Sequence, residues 1–227
     1  MIIVTGASGA LGQHLARDLC DQDDVVGTYR RQAPDMAHDR LKLVQLDVTD
    51  PDAIQRFVVD TARGATRLTL LNLAGISISR LAVDTTAEDW DAVMNVNLRG
   101  SFLMCRALIK PMIRNRWGRL INISSVVART GVPGTAAYAA SKSGVIGLTR
   151  TLAREYARYG ITANCLSLGY FEGGLTATLS EAQQRDILES IPLRRFGQRH
   201  EVADAVKYLI GASYTTGTCL EINGGLV

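Results

Sequence analysis

Short apolar segments alternate along this chain with longer amphipathic segments, and this alternation constrains the fold more than any other feature of the sequence. A strand that is apolar at nearly every position is buried on both faces, which is typical of a parallel sheet covered by helices on either side. Strands that alternate with helices in this way predict a doubly wound α/β fold. The predicted strands span residues 1–5, 25–29, 41–46, 68–73, 119–123, 161–166 and 219–222.

The segments between these strands have the features of helices. Asp50 and Pro51 form a helix start, because Asp is a favoured N-cap residue and Pro fits the first helical position. No linker, low-complexity segment or internal repeat divides the chain, so residues 1–227 are expected to form a single domain. Helices are predicted at residues 10–21, 51–63, 87–115, 136–159, 180–189 and 202–210.

The composition argues against several classes of protein. The 227 residues are 47% hydrophobic and 21% charged, with a net charge of +3 and no run of like charges, so we expect neither a nucleic-acid nor a membrane partner. No apolar stretch approaches the ~18 residues that span a bilayer. The start of the chain lacks a signal-peptide pattern, so a cytoplasmic location is expected. Cys20, Cys105, Cys165 and Cys219 are far apart, which predicts free buried thiols and no metal site.

The first strand runs directly into a glycine-containing loop and then into the first helix. A Gly-x-x-Gly-x-x-Gly pattern is a weak signal alone, and a tight turn without a ligand is the alternative. At this position, however, glycines allow the backbone to approach a pyrophosphate, and the helix N-terminus offers free N–H groups. We therefore predict a dinucleotide site. Its expected contacts in this loop are Gly6, Ser8, Gly9, Ala10, Leu11 and Gly12.

The end of the second strand indicates which dinucleotide is bound. An NAD site usually has an acidic residue there, which binds the adenosine ribose hydroxyls. This chain has Arg30 and Arg31 instead. Two guanidinium groups suit a 2′-phosphate, so NADP(H) is the predicted cofactor, and a pair of solvated surface arginines is the alternative.

Further polar residues follow the third and fourth predicted strands. The carboxyl ends of strands are where open α/β sheets bind ligands. Asp47 is expected to accept a hydrogen bond from the adenine amino group, unless it serves only the turn before Asp50. The further contacts expected here are Val48, Asn72, Ala74 and Gly75.

A tyrosine and a lysine lie four residues apart in the helix that follows the fifth strand. Tyr138 and Lys142 share one face of that helix, 13 positions after Ser125 at the strand end. An ammonium group beside a phenol favours the phenolate, and proton transfer near neutral pH needs a pKa lowered by about three units. Lys142, together with the positive nicotinamide ring of an oxidised cofactor, is therefore expected to lower the pKa of Tyr138. Ser124 is the rival candidate for the serine.

Together these motifs resemble those of the single-domain short-chain dehydrogenases/reductases, over nearly the whole chain. The resemblance rests on the glycine loop, Asp47-Val48, Asn72-Leu73-Ala74-Gly75, Asn97, Ser125, Tyr138-x-x-x-Lys142 and Ile222-Asn223-Gly224-Gly225. It implies a Rossmann-type fold with a seven-stranded parallel sheet in the order 3-2-1-4-5-6-7. It also implies a nicotinamide cofactor, which Gly169, Phe171, Tyr138 and Lys142 would contact along with the residues above.

The family implies a role for each catalytic candidate. Tyr138 exchanges a proton with the carbonyl oxygen, and Ser125 hydrogen-bonds to that oxygen. Lys142 lowers the tyrosine pKa and holds the nicotinamide ribose. Asn97 anchors a water that links Lys142 to solvent; an ordinary helix-kink or cap residue is the alternative for Asn97.

The sequence departs from the family pattern at four positions. Ala10 stands where this branch has its middle glycine, and Leu73 replaces a second asparagine. Leu168 replaces the proline of a Pro-Gly pair, and Gly173 replaces a threonine that commonly contacts the nicotinamide carboxamide. Because the last two share one loop, we expect residues 169–176 to be more mobile than usual.

Several segments look most like those of 3-oxoacyl-[acyl-carrier-protein] reductases, so a 3-oxoacyl thioester is the first substrate hypothesis. Arg116 matches a basic residue that docks the acidic carrier in that subgroup, although it is equally an ordinary surface arginine. A free ketone, sugar or secondary-metabolite alcohol is the alternative substrate, and a non-catalytic NADP-binding regulator is an alternative of another class. The expected apolar lining is Ile76, Ile78, Leu81, Val126, Val127 and Phe171. The family also implies a homotetramer in which the long helices pair between chains. The alternative is that these helices are buried only within their own chain.

Overall fold

The sheet has seven strands, all parallel, in the order β3-β2-β1-β4-β5-β6-β7. The predicted α/β class and strand order are therefore confirmed. The computed structural model describes residues 1–173, 176 and 179–227. The strands are β1 (Ile2–Thr5), β2 (Val25–Tyr29), β3 (Leu41–Gln45), β4 (Thr69–Asn72), β5 (Gly118–Ser125), β6 (Ile161–Leu168) and β7 (Cys219–Ile222).

The helices lie close to their predicted positions. Asp50 caps α2 as expected, since its carboxylate accepts the N–H groups of Asp52 and Ala53 at 2.9 and 3.0 Å. A short helix after β5, α5, was not predicted. The helices are α1 (Ala10–Asp18), α2 (Pro51–Thr61), α3 (Ala87–Met94), α4 (Ser101–Asn115), α5 (Val127–Thr130), α6 (Ala136–Tyr156), α7 (Glu181–Ser190) and α8 (Arg199–Gly211).

Apolar side chains cover both faces of the sheet, as a doubly wound fold requires. On one face, Ile54 of α2, Leu108 of α4 and Leu152 of α6 pack into one buried cluster. On the other face, Leu15 of α1 and Val206 of α8 belong to a second cluster. The sheet is thus a central layer between two helical layers.

The helix predicted over residues 87–115 is interrupted. Residues Asn95–Gly100 form a π-helical segment between α3 and α4. Gly100 lies close to the chain after β3, because a Cβ there would be 2.9 Å from Cγ2 of Val48. Wide π turns are rare and are frequent at functional sites, so this segment is a place to look for site residues.

The strands place their carboxyl ends at one edge of the sheet, where the loops before α1, α5 and α6 gather. The four cysteines are free, as predicted, although Cys219 is only half-buried. Among the described residues, none of the helices has the length and apolar character that crossing a bilayer demands.

Candidate active site

A cleft of about 850 Å³ lies along the carboxyl edge of the sheet. It is lined by residues of the loops that follow β1, β2, β3, β4, β5 and β6. Most of the predicted site residues lie in its wall. They are Gly6, Ser8, Gly9, Ala10, Leu11, Gly12, Arg30, Asp47, Val48, Ala74, Gly75, Ser125, Tyr138, Lys142, Gly169 and Phe171.

Three predicted residues lie outside this lining. Arg31 is exposed and does not reach the cleft. Asn72 and Asn97 are buried behind the wall, where their amides make hydrogen bonds within the protein. The sequence placed all three in direct contact with ligand or water. Their contacts with ligand or water stay predictions. Asn97 is close to the cleft, because a Cβ at Gly75 would lie 3.3 Å from its Oδ1 and 3.6 Å from Nζ of Lys142.

The glycine loop is held against the chain that follows β4. Gly6 has φ +72°, and a Cβ there would lie 2.8 Å from Cα of Ala74. The hydroxyl of Thr5 accepts the N–H groups of Leu73 and Ala74, both at 3.1 Å. Leu73, which replaces an asparagine, packs against the apolar cluster beneath α1. Its apolar side chain is therefore accommodated by the core.

The N-terminus of α1 faces the cleft. Gly9 is its N-cap residue and makes no side-chain capping bond. Gly12 must be a glycine, because a Cβ would overlap the carbonyl oxygen of Gly6. The first-turn N–H groups are thus available to a phosphate, as helix N-termini commonly are.

At the other end of the cleft, Arg30 and Asp47 form an ion pair of 2.8 Å between Nε and Oδ2. The second oxygen of Asp47 accepts the N–H and hydroxyl of Thr49, at 2.9 and 2.7 Å. Burial acts to raise the pKa of Asp47, but these hydrogen bonds and Arg30 outweigh it and lower the pKa. Asp47 therefore stabilises the turn before Asp50, and it also orients the guanidinium of Arg30. Thr28 and Tyr29 also line this end, which the sequence analysis did not identify.

Ser125, Tyr138 and Lys142 converge where β5 ends and α6 begins. The hydroxyl of Ser125 accepts the N–H of Val127 at 3.3 Å and acts to lower the pKa of Tyr138, so it lies close to the phenol. Nζ of Lys142 lies 5.7 Å from the centre of the Tyr138 ring and donates to the carbonyl oxygen of Ile123 at 2.8 Å. The rival Ser124 is buried, and its hydroxyl donates to the carbonyl oxygen of Lys142 at 2.9 Å. Ser125 is therefore the serine placed to meet a ligand.

The pKa values of this pair are governed by burial. Burial raises the pKa of Tyr138, and the hydroxyl of Ser125 opposes the change only in part. Burial lowers the pKa of Lys142 to about 8, against the opposing effect of Cys165. The lowered pKa predicted for Tyr138 relies on a positive nicotinamide ring as well as on Lys142, and the protein groups alone raise this pKa. The reason is desolvation, which disfavours both the phenolate and the ammonium group.

Asn97 lies in the π-helical segment and joins three parts of the fold. Its Oδ1 accepts the N–H of Ile76 at 2.8 Å, and its Nδ2 donates to the carbonyl oxygen of Ile76 at 2.9 Å. Nδ2 also donates to the hydroxyl of Ser141 at 3.0 Å, and Ser141 donates to the carbonyl oxygen of Tyr138 at 2.7 Å. Asn97 thus ties the chain after β4 to the helix turn that carries Tyr138.

The segment after β6 forms the wall opposite the glycine loop. Gly169 packs against Asn223, and Phe171 against Gly197. The hydroxyl of Thr176 donates to the carbonyl oxygens of Phe171 and Gly173, at 2.6 and 2.8 Å. Residues 174 and 175, which fall in the loop predicted to be mobile, lie outside the described residues. The mobility of residues 169–176 stays a prediction.

Arg116 lies at the opposite edge of the sheet. It follows α4 with φ 51°, and its Nη2 donates to the carbonyl oxygen of Arg158 at 3.2 Å. Arg158 itself donates to the hydroxyl of Tyr159 at 2.7 Å. These residues form an exposed basic surface just before β5 and β6.

Sequence comparisons identify the family. A family model described as enoyl-(acyl carrier protein) reductase matches residues 6–227. Nodulation protein G of Rhizobium sp. (strain N33) is 40% identical over 233 residues, which cover 99% of this chain and 95% of that protein. The 3-oxoacyl-[acyl-carrier-protein] reductase FabG of Vibrio cholerae is 36% identical over 235 residues, 99% of this chain and 96% of the relative. FabG of Thermotoga maritima is 43% identical over 185 residues, which cover 80% of this chain and 75% of that protein. The chain belongs to the short-chain dehydrogenase/reductase family and is an oxidoreductase that uses a nicotinamide cofactor.

Proposed function

We propose that this chain reduces a ketone to a secondary alcohol with NADPH, and that the ketone is a 3-oxoacyl thioester. The observation that supports this most strongly is the convergence of Ser125, Tyr138 and Lys142 in the wall of a cleft that begins at a glycine loop. The relatives named above as 3-oxoacyl-[acyl-carrier-protein] reductases support the choice of substrate.

The residues present suit the cofactor. The uncapped N-terminus of α1 fits a pyrophosphate, and the cleft joins it to Lys142 and Tyr138. When bound, the reduced nicotinamide supplies a hydride for the carbonyl carbon. Its phosphates would lie against the glycine loop, and its adenosine against Arg30 and Asp47.

The protein groups handle the proton and the developing charge. Tyr138 donates its phenolic proton to the carbonyl oxygen, and a phenol whose pKa is raised by burial is fully protonated before that step. The hydroxyl of Ser125, which lines the cleft beside Tyr138, stabilises the charge on the same oxygen. Lys142 stabilises the phenolate that remains, because its ammonium group lies close to the ring. Asn97 keeps the Tyr138 turn in place through Ser141.

Arg30 supports the choice of NADPH over NADH. It lines the cleft after β2, where its guanidinium is oriented by Asp47 and still half exposed. Such a group binds a 2′-phosphate, which NADH lacks. The test compares kcat/KM for NADPH and NADH in wild type and Arg30→Ala. The preference for NADPH should fall by at least tenfold in the variant; an unchanged preference would contradict the assignment.

The cleft wall next to Ser125 accommodates an acyl chain. Ile76, Val126, Val127 and Phe171 line it as expected, whereas Ile78 and Leu81 do not. The substrate test follows NADPH oxidation with acetoacetyl and enoyl thioesters and with a panel of free ketones. We expect turnover of the 3-oxo thioester. Turnover of free ketones alone favours the alternative substrate class, turnover of the enoyl thioester alone favours reduction of a carbon–carbon double bond, and cofactor binding without any turnover favours a regulator.

We further propose that the substrate arrives on an acidic carrier protein that contacts Arg116. Strand β5 is about 23 Å long, at ~3.3 Å per residue; Arg116 lies two residues before its start and Ser125 at its end. A carrier at Arg116 therefore docks at the far edge of the sheet from Ser125 of the same chain. Two-fold pairing of antiparallel helices brings opposite edges of two chains together, so the carrier would serve a neighbouring copy.

That arrangement requires at least one two-fold pairing, and we propose the homotetramer that the family implies, with α4 and α6 at one interface. Phe102 of α4 is 43% exposed in a single chain, which leaves an apolar side chain for such a contact. The solution mass should be about four times 24.6 kDa by light scattering. A monomeric mass would contradict both the tetramer and delivery between copies.

A further inference from the structure

Arg199 is a cation in the cleft wall that the mechanism above does not use. It is the first residue of α8 and lines the cleft. Helix α8 packs beside α1 on the same face of the sheet, where Val202 and Val206 share a cluster with Leu15. An ion pair between Lys207 and Asp18 joins the two helices further along.

The two helices begin at the same edge of the sheet. Helix α1 follows β1, so it starts at the carboxyl edge. Helix α8 precedes β7 and returns across the sheet, so it also starts at that edge. Arg199 therefore lies at the same edge of the sheet as the uncapped N-terminus of α1, across the cleft from the glycine loop against which the pyrophosphate would bind.

A glycine makes room for the guanidinium. Gly173 has φ +79°, and a Cβ at this position would overlap Nη2 of Arg199. Nε of Arg199 donates to the carbonyl oxygen of Glu172 at 3.3 Å. Gly173 and Arg199 thus fit each other: with any other residue at 173, the guanidinium would have to leave this position.

The charged groups in the described part of the cleft leave Arg199 without an ion-pair partner, although the acidic residue Glu172 also belongs to the lining. The cations that line it are Arg30, Lys142 and Arg199. Arg30 is paired with Asp47, and the amino group of Lys142 donates to a carbonyl oxygen. Among residues 1–173, 176 and 179–227, no carboxylate lies within ion-pair distance of Arg199. A cation in the first turn of a helix is also disfavoured by the helix dipole, so a bound anion would relieve this repulsion.

We propose that Arg199 binds the pyrophosphate of the dinucleotide, from the side opposite the glycine loop, in the room that Gly173 provides. Arginine is suited to this, because its fork of N–H groups matches phosphate oxygens. The proposal rests on the dinucleotide occupying the cleft and adds a binding residue to that function.

The test uses the nicotinamide dinucleotide, NADPH or NADH, that binds wild type more tightly. Its Kd is measured by fluorescence titration without a carbonyl substrate. Arg199→Ala should raise this Kd by about 10-fold to 100-fold, the range for losing a charged hydrogen bond. Arg199→Lys should recover part of the loss. Arg56→Ala, which removes an exposed arginine of α2 outside the cleft, is the matched control and should leave the Kd unchanged.

Two fragments locate the contact. The corresponding ADP-ribose has the pyrophosphate but no nicotinamide. Arg199→Ala should raise the Kd of this fragment by the same factor as the Kd of the dinucleotide. The corresponding AMP has no pyrophosphate and should bind both proteins equally. The proposal is overturned if the Kd of the dinucleotide changes less than twofold, or if only ligands that contain the nicotinamide are weakened. An effect confined to the KM of the carbonyl substrate would also overturn it, by placing the guanidinium on the substrate.

Gly173→Ala provides an independent measurement. Its Cβ should displace the guanidinium, so it should weaken dinucleotide binding in wild type and have little further effect in Arg199→Ala. Additive losses in the double variant would contradict the fit between these residues. If wild type binds no dinucleotide at all, the proposed function itself fails, which is a different result from equal binding by wild type and Arg199→Ala.

Discussion

Replacing Asn97 by alanine tests whether this residue holds the site together. Asn97 is 1% exposed, and its amide makes three hydrogen bonds, two to Ile76 and one to Ser141. A buried hydrogen bond contributes about 1 kcal/mol, and alanine also leaves the Ile76 backbone groups without partners. The free energy of unfolding should therefore fall by about 3 kcal/mol.

Thermal unfolding measures this loss. For a chain of this size, about 3 kcal/mol corresponds to a fall in Tm of about 6–12 °C, at fixed protein concentration. Asn97→Asp should lower the Tm at least as much as Asn97→Ala, because a carboxylate cannot donate to the carbonyl oxygen of Ile76. Asn115→Ala is the control, since the exposed amide of Asn115 makes a single hydrogen bond, to the carbonyl oxygen of Ala65. Its Tm should fall by less than about 4 °C.

Turnover distinguishes the two roles considered for Asn97. As a residue that positions the Tyr138 turn, it should lose stability and turnover together when replaced. A fall in Tm of less than about 2 °C, with turnover lost, would refute the reasoning from these hydrogen bonds. It would instead favour the water-anchoring role that the family resemblance implies.

Three further predictions concern residues in or beside the cleft. Ser125→Ala should lower kcat by about 10²-fold to 10³-fold without a comparable loss of stability. Ser124→Ala should lower the free energy of unfolding by about 1 kcal/mol and largely retain kcat. Equal effects of the two substitutions on kcat and stability would contradict the roles assigned to these serines. Because the pKa of Lys142 is lowered from 10.5 to about 8 in the folded state, the unfolded state holds the proton more tightly between those pH values. The free energy of unfolding should therefore rise by about 3 kcal/mol as pH increases through that window, and urea denaturation of Lys142→Met should lack this rise. Gly12→Ala should destabilise the protein and weaken dinucleotide binding, because its Cβ overlaps the carbonyl oxygen of Gly6; Gly9→Ala, whose Cβ would lie 3.5 Å from that oxygen, should retain wild-type stability in the same urea assay.

The α/β class and most element bounds were predictable because they follow from local patterns, whereas the sheet order came from the family resemblance. Strand β2 was predicted at its observed bounds, and the predicted start of α2 at Asp50 and Pro51 is also confirmed. The glycine loop was equally clear, since its position between a strand and a helix restricts what it can do. These features depend on residues close together in the chain.

The interruption of the predicted long helix could not be read in the same way. The residues of Asn95–Gly100 do not break a helical pattern, and the π turn depends on contacts with distant residues such as Val48 and Ile76. The direction of the Tyr138 pKa depends on how deeply α6 is buried, which spacing alone does not reveal. The pairing of Gly173 with Arg199 was missed for the same reason, because 26 positions separate them in sequence. The sequence signalled that this wall is unusual only through the two departures from the family pattern, at Leu168 and Gly173.

In the proposed reaction Tyr138 donates the proton to the carbonyl oxygen, and the Tyr138→Phe variant is the decisive experiment. The variant keeps the ring and loses only the hydroxyl, so dinucleotide binding and Tm should stay close to wild type. With NADPH and an acetoacetyl thioester at pH 7, kcat should fall by about 10²-fold to 10⁴-fold, the range for losing a general acid. A variant that binds the dinucleotide normally and retains kcat within tenfold of wild type would contradict the account.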